Sequence, residues 1–151
     1  MGPEEVVVQI KRLPGNDDIP LPAYQSEAAV GMDLHAAVQA DTELAVGEIL
    51  LVPCGFSLAI PVGHEAQIRP RSGLAAKQGI GVINSPGTID PDYRGELKVA
   101  LINLGKVSVR VTRGMRIAQI VVLPVPRVRW QLTDDLLPTE RNVGGFGHTG
   151  Q

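Results

Sequence analysis

Three scarcities shape what this chain can be. A single cysteine, Cys54, in 151 residues rules out an intrachain disulfide and with it a disulfide-stapled scaffold. Aromatic residues make up only 3% of the chain, so the core has to be built from aliphatic side chains. No apolar run approaches the ~20 residues that carry a helix across a bilayer. Charge of one sign is also scarce: the net value is −2, without the basic excess of a nucleic-acid-binding domain. The start, Met1-Gly2-Pro3-Glu4-Glu5, is acidic where a signal or transit peptide is basic. The expectation is a soluble, cytoplasmic protein with neither nucleic acid nor membrane as partner.

What the chain has in quantity is punctuation. Seventeen glycines and twelve prolines leave little room for long helices, and the apolar residues are mostly Val, Ile and Leu, which favour strands. Its length fits one domain with one core. Short strands are expected at Val6 to Ile10, Gly31 to Ala36, Ile49 to Pro53, Gly55 to Ile60 and His64 to Arg69. More follow in the stretch from Gly81 to Gly95, then at Glu96 to Asn103, Val107 to Val111, Ile117 to Val125 and Arg127 to Trp130. Asn103-Leu104-Gly105-Lys106 reads as a hairpin turn. One helix of about two turns is expected after Pro70, capped by Ser72 and closed by a left-handed Gly79. This is an all-β barrel or jelly-roll-like pattern, not a series of βαβ units. The domain spans 1–137; a glycine-rich tail, 138–151, has no apolar periodicity and is expected to be mobile without ligand.

Chemistry-bearing residues cluster in four places. Arg71-Ser72-Gly73 opens the helix with a guanidinium, a hydroxyl and unobstructed backbone N–H groups, which together suit a phosphate, although a capped surface helix has the same start. Asp90 and Asp92 flank Pro91, with Tyr93 beside them; turn aspartates commonly bond only their own backbone, and an acid next to a phosphate site also suits a base. Gln119 interrupts an apolar strand and needs hydrogen-bond partners, from protein or ligand. In the tail, Phe146 lies among glycines with Arg141 nearby, an aromatic able to stack on a planar ligand and a cation able to pair with phosphate. His35, His64 and His148 share no ligand spacing with one another or with Cys54, so no zinc site is expected.

From Ala29 to Gly150 the chain resembles the all-β deoxyuridine triphosphate nucleotidohydrolases (dUTPases), which are known by five short motifs in fixed order. The matching segments are Ala29 to Leu34, Pro70 to Leu74, Gly81 to Lys98, Arg113 to Gln119, and Arg141 to Gly150. The resemblance implies a jelly-roll-like, distorted β-barrel of the β-clip kind, assembled as a homotrimer whose active sites are shared between chains. It implies hydrolysis of dUTP to dUMP and pyrophosphate, with Mg²⁺ on the triphosphate. That activity limits uracil in DNA and supplies dUMP for dTMP synthesis.

By the same resemblance Asp90 is the catalytic base for the attacking water. The segment from Asn84 through Thr88 and Ile89 to Lys98 holds uracil, and Tyr93 sits under the deoxyribose. Arg71, Ser72, Gly73 and Gln119 bind phosphates, and Asp33 approaches magnesium through water. The tail closes over the site, with Phe146 on the base, Arg141 on the γ-phosphate and Gly147 beside them. Two other readings remain: a dCTP deaminase of the same fold, expected to carry glutamate near Asp90, and a non-catalytic nucleotide-binding regulator.

Overall fold

A computed structural model describes residues 5–147; Met1 to Glu4 and the end of the last motif, His148 to Gln151, lie outside them. Ten strands and one short helix follow one another in the order β1 Gln9–Arg12, β2 Met32–His35, β3 Thr42–Leu44, β4 Ile49–Ala59, β5 His64–Arg69, α1 Ser72–Gln78, β6 Ile80–Val82, β7 Gly87–Ile89, β8 Glu96–Asn103, β9 Val109–Val111 and β10 Arg116–Pro124. They form two four-stranded sheets, ordered β1-β4-β8-β6 and β2-β10-β5-β7, and a two-stranded ribbon, β3-β9. The all-β expectation with one internal helix holds.

Alternation explains which faces meet. In β8, Leu97, Val99, Leu101 and Asn103 point inward while Lys98, Ala100 and Ile102 point outward; in β5, Ala66 and Ile68 are the buried pair. The core joins these to Leu34, Val52, Phe56, Ile117 and Ile120. Phe56 is the one aromatic buried in it, so close packing of branched aliphatics carries the stability, at about 1.5–3 kcal/mol per buried side chain.

The structure corrects several local expectations. The helix is capped by extended Arg71 (φ −88°, ψ 127°) without a side-chain hydrogen bond. Ser72 is already helical, and the Arg71 side chain turns instead to Asp33. Gly79 does take the left-handed conformation, at φ 70°. Ile49 to Ile60 holds one bulged strand where two were expected: the β4–β8 register jumps between Pro53 and Ser57, and Gly55 at φ 79° provides the bend.

β1 begins later than Val6, because its partner Ala59 is the end of β4 and sets the register at Gln9. The β3 strand, only three residues long, carried no visible alternation and was missed. Arg127 to Trp130 forms no strand and pairs with no edge among the described residues; Trp130 is 91% exposed.

The turn expected to close a hairpin after Asn103 is a crossover. β8 and β9 belong to different sheets, and the turn between them is organised by fully buried Asn103. Its Nδ2 donates to Leu44 O (2.9 Å) and Val107 O (2.8 Å), and its Oδ1 accepts from Gly105 N–H (2.9 Å). Around Asp90, β7 pairs with β5 while β6 and β8 pair in the other sheet, so the segment Asp90 to Gly95 bridges the two sheets.

Candidate active site

The first site cluster forms where three strands lie side by side. Gln119 on β10 pairs with Asp33 on β2 and with Arg69 on β5, so the three residues form one row on the outward face of the sheet. β5 then runs through Pro70 into α1. Gln119 Nε2 donates to Pro70 O (2.9 Å), which ties the helix start to the row. Arg71 Nε reaches Asp33 Oδ1 at 2.9 Å, and Arg116 Nε lies 3.8 Å from Asp33 Oδ2. The first intrahelical bond runs from Ala75 N–H to Arg71 O (3.0 Å), so the N–H groups ahead of it have no partner within the helix. Ser72 and Gly73 are exposed there. One half-buried carboxylate among arginines, with free N–H groups and a hydroxyl alongside, has the chemistry to receive a multiply charged anion.

Gly31 is required by this packing, because a Cβ at that position would run into Gln119 Oε1. Arg116 and His35 belong to the cluster as well; from sequence His35 was weighed only as a metal ligand and Arg116 had no role, and their signal is spacing, since His35 is two residues from Asp33 on the same strand and pairs with Arg116. Burial pushes the His35 imidazole below its ordinary value, against the opposing pull of Asp33.

The second cluster lies on the bridging segment. Thr88, Ile89, Asp90, Tyr93 and Lys98, joined by Leu51, line a cavity of about 280 Å³. Asp90 is exposed and free to meet a ligand. Tyr93 N–H bonds Asp90 O (3.2 Å), the Tyr93 hydroxyl donates to Glu96 O (2.9 Å), and Arg94 Nη1 holds Pro91 O (2.6 Å) and Tyr93 O (3.0 Å). Asn84 does not line this cavity; its amide lies over the backbone of Gly87. Leu51 had no signal in the sequence, where it reads as one more residue of an apolar run.

The chain does not bring these clusters together. Ile89 pairs with Ala66 near the start of β5, whereas Gln119 pairs with Arg69 at its end. At about 3.3 Å per residue and about 4.8 Å between strands, Asp90 and Gln119 lie roughly 16 Å apart. The described tail residues, up to Gly147, make no hydrogen bond or ion pair with either cluster. Arg141 Nε donates to Gly144 O (2.8 Å) in a local turn, and Phe146 and Gly147 are exposed.

Cys54 offers no nucleophile, being fully buried with its thiol pushed up to about 12, chiefly by burial. Among the described residues no group of three or more His, Cys, Asp or Glu is placed to hold a metal ion, and no helix is long and apolar enough to cross a membrane.

Comparison with known proteins gives these clusters a context. Residues 17–150 match the family model dUTPase. The deoxyuridine 5'-triphosphate nucleotidohydrolase of Desulfotalea psychrophila is 55% identical over 134 residues, 89% of each chain. That of Maricaulis maris is 51% identical over 147 residues, covering 96% of this chain and 97% of the other. Among solved structures, a Staphylococcus bacteriophage 80alpha dUTPase with dUPNHPP has a TM-score of 0.87 at 22% identity, covering 96% of this chain and 99% of that one. A dUTPase from phage phi11 of S. aureus, described for its coordination of a structural Mg(II) ion, has a TM-score of 0.75 at 17% identity, covering 85% and 97%.

Proposed function

Because the chain belongs to the dUTPase family, we propose that it hydrolyses dUTP with Asp90 as the base, across sites shared by three copies of the chain. The observation that carries this reading is the cavity that gathers Thr88, Ile89, Asp90, Tyr93 and Lys98. It puts an exposed carboxylate beside an aromatic floor and a cation.

In the proposed mechanism uracil lies against the backbone of the Asn84 to Lys98 segment. Backbone groups set for the donor and acceptor pattern of uracil leave buried groups unpaired with cytosine, which discriminates by up to ~10⁴. The methyl of thymine is excluded by shape, and the Tyr93 ring fills the space a ribose 2′-hydroxyl would need. Asp90 orients a water and takes its proton as the water oxygen bonds to the α-phosphorus. The bond from that phosphorus to the bridging oxygen breaks, and pyrophosphate leaves. Arg71, Ser72, Gly73 and Gln119 hold the phosphates.

Asp33 fits an outer-sphere role toward magnesium: it is one carboxylate flanked by two guanidiniums. The set is net cationic and suits the triphosphate, and Asp33 would meet only a magnesium that arrives on the phosphates and keeps its waters. Bound there, Mg²⁺ would neutralise charge on the phosphates.

The threefold assembly is supported by the roughly 16 Å between Asp90 and Gln119, too far for one chain to hold a phosphorus against both. It is supported too by the outward face of the β4-β8-β6 sheet, where Ile49, Leu51 and Ile83 are about half exposed. Leu51 also lines the Asp90 cavity, so a neighbour seated on this apolar face is brought to that cavity. A closed ring of three copies satisfies every such face. Val128, Trp130 and Leu132 alternate along an exposed arm that a neighbouring copy would cover.

Hydrolysis of dUTP removes a precursor of uracil in DNA and yields dUMP. A pyrophosphate assay across dUTP, dTTP, dCTP and UTP tests the proposal. Release from dUTP alone is expected; ammonia from dCTP would indicate a deaminase, and no product at all a binding regulator.

A further inference from the structure

Tyr93 is held by a device that reaches beyond the cavity it lines. Its hydroxyl donates to the backbone carbonyl of Glu96 (2.9 Å). The Glu96 side chain in turn accepts the N–H of Gly55 at 3.1 Å. Gly55 sits in the β4 bulge, where the jump in register between Pro53 and Ser57 leaves its N–H outside the ladder. The bulge is itself fixed, because Leu13 N–H donates to Gly55 O (2.9 Å) and the Asn16 side chain packs on the Gly55 Cα.

Gly95 supplies the other half. A Cβ built there would run into the Tyr93 hydroxyl and stand 2.6 Å from Cζ and 2.9 Å from Cε2, so the phenol lies directly over the Gly95 backbone. The ring is aimed by one anchored carbonyl and one missing side chain.

We propose that Glu96 and Gly95 are positioning residues for sugar discrimination: they set the Tyr93 ring at the depth that admits deoxyribose and rejects ribose. The inference rests on the reading of Tyr93 as the floor of the sugar site. Neither residue acts in this scheme through a contact of its own with the sugar. Glu96 acts by pinning the start of β8 to the β4 bulge, and Gly95 by leaving room for the phenol.

The test is the ratio of kcat/KM for dUTP to that for UTP, measured on the assembled enzyme. An apolar site discriminates against an added hydroxyl by about 10², so a ring free to shift should give up roughly tenfold of that ratio. Glu96→Ala, Gly95→Ala and Tyr93→Phe should each lower the ratio, mostly by lowering the KM for UTP and with a smaller change in kcat on dUTP. Glu96→Gln keeps an acceptor for Gly55 N–H and should restore most of the discrimination. Tyr93→Phe keeps the ring and changes only an exposed hydroxyl, so it carries the test even where a Glu96 variant fails to fold.

Tyr93→Ala separates the two levels. Relaxed discrimination in Tyr93→Ala with unchanged ratios in Gly95→Ala and Tyr93→Phe overturns the positioning role and leaves the reading of Tyr93 standing. An unchanged ratio in Tyr93→Ala overturns both.

Discussion

Two inactive forms of this chain should make an active enzyme when they assemble together. Take Asp90→Asn, which removes the base, and Arg71→Ala, which removes a phosphate-binding guanidinium. The register of β5 places Asp90 and the Gln119 row roughly 16 Å apart in one chain, with Arg71 tethered to that row through Asp33. In the proposed assembly each site would take Asp90 from one chain and Arg71 from its neighbour. In trimers formed at random from equal amounts, about one quarter of the sites combine an intact Asp90 with an intact Arg71. Losing either group alone should cost about 10²-fold or more, so each parent turns over at about 1% of the unaltered rate or less. The mixture should then recover to roughly 25%. The assay is pyrophosphate release after co-refolding, with mixed trimers verified by native mass spectrometry. Verified mixed trimers no more active than the mean of their parents would refute the shared site, because a site built within one chain can never be repaired by mixing.

Three further outcomes are expected. Asp90→Asn on its own should lower turnover by about 10²-fold or more while dUTP still binds, read by comparing kcat with a binding titration; near-normal turnover would make Asp90 a turn residue only. Truncation after Thr139 should leave the assembly folded and strongly reduce kcat, and a non-hydrolysable dUTP analogue should protect the tail from protease. A tail equally protected without ligand would contradict closure. Asn103→Ala removes three hydrogen bonds from a fully buried side chain, each worth about 1 kcal/mol and more where a partner is left unsatisfied, so about 3–5 kcal/mol of stability should be lost in denaturant melts.

Strands whose two faces meet different surroundings were legible in the sequence. β5 and β8 fall at the expected bounds because alternation is complete there: Ala66 and Ile68 go inward between polar residues, as do Leu97, Val99 and Leu101. The elements that failed lack a local signal. β3 is only three residues long and exists because β9 gives it an edge, a fact about residues 67 positions away. Arg127 to Trp130 has the opposite fault: its alternation is real, yet no edge among the described residues receives it, and periodicity does not say whether a segment finds a partner strand.

The candidate site divides along the same line. Residue types were readable motif by motif because each small cluster is local: Arg71 with Ser72, Asp90 with Tyr93. Which clusters share a space is a matter of register, and a one-dimensional order of motifs does not contain it. Read in order, the motifs suggest a single pocket. The pairings of β5 put two of them at opposite ends of one strand, with an apolar face running from the Asp90 cavity toward open solvent. Leu51 makes the point in one residue. By sequence it is one more aliphatic in a strand, and in the fold it is 58% exposed on the rim of the cavity that holds the proposed base. With Ile49 and Ile83 it makes an exposed apolar patch at the edge of a polar site, the kind of surface a partner covers, and in the proposed assembly the chain that would cover it is the one that carries the other half of the site.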